Sequence, residues 1–308
     1  SKNELMDALQ FGACTANVLS DMAGVLGGLF LPAFEATKTD ELTPGQIAYQ
    51  RNLASFKSVL EHAARQIGGD VSLEIPEVDV SAPGILEDQT ALGELEHAVE
   101  GWTTTIQQVV DQEAAKRPSA SGPLAEVEFW RERHRALSAL YEQLQLPRVQ
   151  AILLTLKKVD AHAMIGYNTS YGELQKLAIE AKDNTKFLAT LERHFKTLSS
   201  GTFASILDTL PTMLNAIRMV WIISRHYNSD SRMVPLLERI AHKLAEKVSD
   251  EVNVSSVLSL PPKQAQTTIT EARAVLHAWE ATYMATRQRI EESGTHVRWE
   301  FDRKRLFE

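Results

Sequence analysis

The sequence predicts an all-α protein, an elongated series of antiparallel helical bundles with at most one short extended segment. Helix-forming Ala, Leu, Glu, Gln and Lys are abundant among the 308 residues, and aromatic residues make up only 7%. Apolar residues recur at steps of three and four through most of the chain, which is the period of one helix face. Short segments rich in Pro, Gly and Ser separate these stretches and predict the turns between helices.

Residues 3–36 are predicted to form one or two helices, with a glycine cluster inside them. The cluster comprises Gly24, Gly27 and Gly28. A phosphate-binding loop would need a Gly-Lys-Ser/Thr ending, and the chain contains no Gly-Lys pair. We therefore expect these glycines to allow close helix packing.

The next helix has signals at both ends. Thr43 and Gln46 have the spacing of a capping box, and Gly68 follows the last apolar position at Ile67. Residues 71–75 then alternate in polarity, as a strand does. Because no second strong strand lies nearby in the sequence, we expect this segment to lie extended over helices.

Two long helices, over residues 88–116 and 124–144, flank the clearest linker of the chain. The linker, residues 119–123, is short enough to fold the second helix back antiparallel to the first. We expect His134, on the apolar face of the second helix, to be a hydrogen-bonded core residue rather than a ligand. The two apolar faces consist of Leu92, Leu95, Val99, Trp102, Ile106 and Val109, and of Val127, Trp130, His134, Leu137, Tyr141 and Leu144.

The remaining helices are predicted from the same spacing of apolar residues and from the turn-forming residues between them. The last of them repeats apolar side chains over three heptads, and its Ala and Thr content favours a seam within a bundle over a coiled-coil dimer. Its predicted seam is Ile269, Ala272, Leu276, Trp279, Tyr283, Thr286 and Ile290. The predicted helices are residues 147–156, 171–198, 203–210, 213–226, 230–248 and one from 262 onward.

Charge divides the chain into two segments. Residues 1–120 hold 7 Lys and Arg against 18 Asp and Glu, and the remainder holds 25 against 22. We predict an acidic N-terminal helical segment over residues 1–118, the linker, and further helical bundles over residues 124–308. The single cysteine, Cys14, excludes an intrachain disulfide and fits a reducing compartment.

No pattern in the chain predicts chemistry. The nine histidines form no zinc-binding motif, no Gly-x-Ser-x-Gly elbow is present, and no basic stretch has the size of a nucleic-acid footprint. The apolar runs are shorter than a membrane span requires. We expect no cofactor, no metal, no nucleic acid and no membrane, and a structural or interaction module rather than an enzyme.

The helix after the linker closely resembles the N-terminal tail of dynein heavy chains. Residues 122–144 carry this resemblance in the sequence GPLAEVEFWRERHRALSALYEQL, and residues 95–102 in LEHAVEGW. Three later stretches support it: EAKDNTKFLATLE at 180–192, DTLP at 208–211 and RMVWIISRHYN at 218–228. The resemblance covers roughly residues 86–308, and none of these stretches is a catalytic motif.

This resemblance implies a part of a microtubule motor whose ATPase ring lies far downstream. The family's tail holds heavy chains together, binds intermediate and light chains, and fixes the motor to its cargo. The sequence of residues 218–228 resembles that of axonemal heavy chains. This resemblance implies docking components of the ciliary axoneme as further partners, and it implies a cytoskeletal location. Since the chain starts without Met, we expect it to be a piece of a longer cytosolic polypeptide. The alternative is an independent helical scaffold or tethering protein that shares the bundle pattern by convergence.

The residues that we predict to contact a partner lie in the C-terminal segment, because aromatic residues and arginine are enriched at interface cores. The alternative is that Phe301 and Phe307 begin the next bundle of the same chain. The predicted contact residues are Trp299, Phe301, Arg303, Arg305 and Phe307.

We predict that this chain alone binds no ATP, because it lacks the lysine that a phosphate-binding loop uses. Isothermal titration calorimetry of the purified chain with ATP and Mg²⁺ should show only heats of dilution. Saturable binding in the micromolar range would contradict this prediction.

Overall fold

The computed structural model describes residues 16–36, 43–67, 71–118, 120–294 and 298–307. Within these ranges the chain is helical and contains no strand, which confirms the all-α prediction. Cys14 and the first part of the predicted N-terminal helix lie outside the described residues. The helices are α1 Ala16–Val25, a π-helical stretch Leu26–Phe30, α2 Leu31–Ala36, α3 Pro44–Ile67, α4 Gln89–Ala115, α5 Pro123–Leu144, α6 Pro147–Lys158, α7 Ala163–Ala189, α8 Glu192–Ser200, α9 Phe203–Ile223, α10 Asp230–Glu251, α11 Val254–Ser259, α12 Pro262–Glu292 and α13 Arg303–Phe307.

The chain folds into two compact units, and each unit is made from two separate stretches of sequence. The predicted segments, by contrast, follow one another along the chain. Turn-forming residues in the sequence mark where one helix ends and the next begins. A compact unit, in contrast, is defined by which side chains pack together. The first unit consists of Ser1–Gln108 with Ser138–Gly172, and the second of Val109–Leu137 with Glu173–Glu308.

In the first unit, α1 packs against α3. The predicted capping box forms: the Thr43 amide donates to Gln46 Oε1 at 2.8 Å, and the Gln46 amide donates to Thr43 Oγ1 at 3.4 Å. Close packing occurs at one of the three glycines, because a Cβ on Gly27 would stand 2.6 Å from Cε of Lys57, whereas Gly24 and Gly28 have open space. The core of this helix pair is Leu19, Ala23, Leu60, Ala63 and Ala64, with Leu26 and Phe56 packed against it.

The segment at residues 71–79 is extended and belongs to no strand, as the sequence analysis expected. Its backbone bonds to side chains of helices in the same unit. Gln143 accepts from the Leu73 amide at 2.9 Å and donates to the Val71 carbonyl at 2.8 Å. The Trp102 indole donates to the Glu74 carbonyl at 2.7 Å. The amide of Gln143 thus replaces the donor and the acceptor that a neighbouring strand would supply.

Two helix boundaries differ from the prediction. The predicted helix 171–198 is interrupted between α7 and α8, where the Thr190 hydroxyl donates to the Phe187 carbonyl at 2.7 Å. Such a side-chain bond competes with the helical backbone pattern. The predicted break at Pro211 is absent, and α9 runs through it. Proline removes one helical hydrogen bond, but Leu210 and Met213 beside it are fully buried, so packing holds the helix together.

The buried face of α12 also differs from the predicted seam. Val275 is fully buried, whereas Leu276 and Ile269 are 43% and 46% exposed. Val275 and Leu276 are adjacent and both apolar, so the period alone cannot decide which one faces the neighbouring helix α9. The other five seam residues are buried as predicted: Ala272, Trp279, Tyr283, Thr286 and Ile290.

Within the described residues, α9 is long and apolar enough to span a membrane by length and composition. In this fold the helix packs against α12 and buries eight of its residues in the second unit. Its buried residues are Phe203, Ile206, Leu210, Met213, Leu214, Ile217, Val220 and Trp221.

Replacing Gln143 by alanine should destabilise the first unit by about 2–4 kcal/mol, because the buried Leu73 amide and the Val71 carbonyl lose their partner. Urea unfolding measures the loss, and hydrogen exchange should become faster at Leu73. Gln145→Ala is the matched control, since Gln145 is exposed. Equal effects of the two substitutions would contradict the proposed role of Gln143.

Candidate functional site

The C-terminal segment joins a cluster of aromatic rings in the second unit. Trp299 and Phe301 are 3% and 6% exposed, and each meets Trp221 edge to face, with ring centroids 6.3 and 5.3 Å away. Phe307 packs against Tyr283 at 5.3 Å and against Trp279 at 6.2 Å. Edge-to-face pairs of this kind stabilise a core beyond the area that they bury.

Hydrogen bonds fix the same segment to α9 and α12. The Trp221 indole donates to the Arg298 carbonyl at 2.8 Å, and the Trp279 indole donates to the Leu306 carbonyl at 3.2 Å. These bonds satisfy two indole groups that burial would otherwise leave without an acceptor. The aromatic side of the segment therefore belongs to the protein core.

The arginines of the segment lie on the opposite side. Arg303 is 55% exposed and pairs with Glu280 at 2.8 Å. Arg305 is 59% exposed and pairs with Glu238. Exposed pairs contribute little to stability, so these cations can exchange partners at low cost.

The structure thus separates the five predicted contact residues into two groups. Trp299 and Phe301 are buried within this chain, although both belong to the predicted contact residues. The aromatic spacing did not show this, because the segment folds back onto α9 and α12. A partner contact here would be made by Arg303, Arg305 and the half-buried Phe307, and that contact stays a prediction.

A second buried cluster centres on Trp130 of α5, which is fully buried. Its indole donates to the Tyr227 hydroxyl at 2.8 Å, and that hydroxyl donates to Glu126 at 2.7 Å. Arg239 approaches the other oxygen of Glu126 at 3.3 Å. The Thr185 hydroxyl donates to the Trp130 carbonyl at 2.8 Å. Side chains from α5, α7 and α10 therefore meet around one indole.

Cations lie over the faces of this indole. The guanidinium carbons of Arg232 and Arg133 are 4.9 and 5.4 Å from the ring centroid, a favourable cation–π distance. Burial lowers the pKa of the Arg133 guanidinium, and Glu180 and Glu113 partly offset that effect. Burial and the neighbouring Glu126 carboxylate raise the pKa of the Tyr227 hydroxyl, which therefore stays protonated and able to donate.

Sequence reasoning placed Trp130 in the core and missed the polar residues around it. Glu126 and Arg133 are charged and lie next to the predicted stripe, yet they are only 7% and 5% exposed. No local pattern distinguishes such residues from an exposed charged face, because their partners are Tyr227, Arg232 and Arg239, roughly 100 positions further along the chain. His134 on the predicted stripe is half-buried.

In the part of the chain that the structure describes, no group of three His, Cys, Asp or Glu residues could hold a metal ion. Shallow depressions lie along α12, one of them lined by Ala281, Met284, Arg287 and Glu291. Trp130, Tyr227 and Glu126 of the Trp130 cluster are buried and bond to each other. What the fold builds is a helical structural module with aromatic and polar cores.

Comparison with known proteins identifies the module. Residues 92–308 match the family described as dynein heavy chain, N-terminal region 1. Because the match covers more than half of the chain, this protein belongs to that family. The resemblance noted over residues 86–308 is therefore confirmed.

The relatives are axonemal. The chain is 39% identical, over 99% of its length, to the Dynein-1-alpha heavy chain of the flagellar inner arm I1 complex of Chlamydomonas reinhardtii. It is 37% identical over 98% to human dynein axonemal heavy chain 10, and 26% identical over 96% to the dynein beta chain of the C. reinhardtii flagellar outer arm. The chain spans 7–8% of the length of these relatives. It is thus an axonemal heavy-chain sequence of the ciliary cytoskeleton, as the sequence analysis expected.

Replacing Trp130 by alanine should cost about 3–5 kcal/mol, because a large buried ring is lost and the Tyr227 and Glu126 network loses its donor. Thermal or urea unfolding of the purified chain measures the loss. Trp130→Phe keeps most of the ring volume and removes the N–H, so its smaller cost isolates the hydrogen bond. An unfolding midpoint unchanged in Trp130→Ala would show that the indole is not part of the core.

Proposed function

We propose that this chain is a structural segment of the tail of an axonemal dynein heavy chain. It associates with other heavy chains, binds intermediate and light chains, and helps to anchor the motor in the axoneme through docking components. The observation that carries the proposal is the family match over residues 92–308, together with 37–39% identity to axonemal heavy chains. One of these relatives is named as part of a flagellar inner arm complex.

The packing of the chain supports a structural role. Its tryptophans are buried and most bond across elements, which gives helices a fixed register. Rigid helices suit a segment that transmits force from a motor to its attachment. The chemistry of force generation would then lie elsewhere in the heavy chain, and this chain would have no ATPase activity of its own.

The exposed arginines of α13 are the part of the predicted contact site that a partner can reach. Arg303 and Arg305 are cationic and held by exposed ion pairs, so an acidic surface of an intermediate chain or a neighbouring heavy chain could replace Glu280 and Glu238. The buried Trp299 and Phe301 hold the backbone of α13 in place beneath them.

Charge reversal tests this contact. The double substitution Arg303→Glu with Arg305→Glu, placed in the full heavy chain, should weaken co-purification of intermediate chains about tenfold, which is about 1.4 kcal/mol. Arg289→Glu is the matched control, an exposed arginine on α12. The melting temperature of each variant shows whether the fold is kept.

Crosslinking of the assembled dynein arm tests the wider proposal. Links from the exposed Lys304 to an intermediate chain or to a neighbouring heavy chain are expected. Links from Lys304 only to the same heavy chain, with unchanged co-purification in the double variant, would reject this contact site. If the gene encodes no downstream AAA+ ring, the chain is instead an independent helical scaffold.

A further inference from the structure

The turn between α4 and α5 exposes a serine that the proposed tail function does not use. Ser121 lies in a run of three bend residues, 120–122, and its side chain is exposed. Because no helix holds this backbone, an enzyme can bind it in an extended form. Lys116 and Arg117 precede it and are exposed too, so the stretch presents cations that suit the acidic substrate groove of a serine kinase.

Two cations of α10 lie beside this turn within the second unit. Arg239 Nη1 donates to the Ala120 carbonyl at 2.6 Å. The Cδ atom of Lys243 lies 3.9 Å from where a Cβ on Gly122 would stand. Residues four apart share one face of a helix, so both side chains point to the residues that flank Ser121.

The present partner of Lys243 leaves this cation able to bind an added anion, while Arg239 stays paired with the buried Glu126. Lys243 pairs with Glu246 at 2.8 Å, and Glu246 is 42% exposed. A surface pair of this kind is worth little, so Lys243 can turn to a stronger anion at small cost. Arg239 bonds to the Ala120 carbonyl and approaches Glu126 at 3.3 Å, which keeps its guanidinium next to the turn.

We propose that Ser121 is a phosphorylation site whose phosphate is bound by Lys243 and Arg239. The Ser121 hydroxyl oxygen attacks the γ-phosphorus of ATP held by a protein kinase, the bond to the β–γ bridging oxygen breaks, and ADP leaves. The hydroxyl proton passes to the base of the kinase. The product carries nearly two negative charges at neutral pH and three acceptor oxygens.

The phosphate has a structural consequence. It links α10 to the turn before α5 by charge-assisted hydrogen bonds, which are stronger than neutral ones. Phosphorylation would therefore stiffen the part of the second unit that holds the Trp130 cluster.

Phosphoserine placed at position 121 by genetic encoding tests the receiving cations. The unfolding midpoint should rise by about 2 °C over the unmodified chain, and less in high salt. The second ionisation of the phosphate, followed by ³¹P NMR, should shift to lower pH than in an unfolded peptide. Both effects should be clearly smaller in a Lys243→Ala background, where only Arg239 remains to bind the phosphate. Phosphoserine at position 249, next to Asp250 and Glu251, is the matched control and should give no gain.

Two results would overturn the proposal. An unchanged midpoint, or an equal gain in the Lys243→Ala background, would show that the cations do not hold the phosphate. Phosphopeptide mapping of the heavy chain isolated from cilia in phosphatase inhibitors should find phosphate on Ser121, and an unmodified Ser121 would remove the site. If the proposed partner contact at α13 proves wrong, the unfolding midpoint and the phosphopeptide result for Ser121 are not affected.

Discussion

A buried indole N–H is costly to leave without an acceptor, and meeting this requirement joins most tryptophans of the chain to a second part of the fold. An unpaired buried donor costs as much as several favourable contacts contribute, so the position of each acceptor is fixed once the ring is buried. Four of the five tryptophans have an acceptor outside their own helix, and Trp130 also donates to Glu126 within its helix at 3.2 Å. The pairs are Trp102 with the Glu74 carbonyl, Trp130 with the Tyr227 hydroxyl, Trp221 with the Arg298 carbonyl and Trp279 with the Leu306 carbonyl. Each ring thereby joins its helix to another part of the chain as well as filling a core.

The fifth tryptophan, Trp299, does not follow this pattern. Trp299 is as buried as the others, but its indole nitrogen has no hydrogen-bond partner in this structure. The rings of Trp221, Phe301 and Tyr283 surround it instead. Ring packing accompanies its burial, and the segment is bonded through the Arg298 and Leu306 carbonyls and through the Phe301 amide, which donates to the Tyr283 hydroxyl at 3.1 Å.

The sequence predicts much of what depends on neighbours along the chain. The capping box at Thr43, most helix ends and the burial of Trp130 follow from local spacing, whereas the break between α7 and α8 was not predicted. Contacts over long sequence separations could not be read, because a charged residue looks the same whether it is solvated or paired in a core. Glu126 is the clearest example, since its burial depends on Tyr227, 101 positions away. The choice between Val275 and Leu276 and the passage of α9 through Pro211 were decided in the same way, by packing.

The interleaving of the two units has a consequence for synthesis. A ribosome delivers the chain from its N-terminus, and domains usually fold as units once their residues have emerged. The first unit includes residues up to Gly172, so it cannot be completed until Val109–Leu137 of the second unit have been synthesised. A truncation at the obvious turn near residue 119 would leave the extended segment without Gln143, the side chain that satisfies its backbone. The shortest piece that can complete the first unit therefore reaches well past that turn.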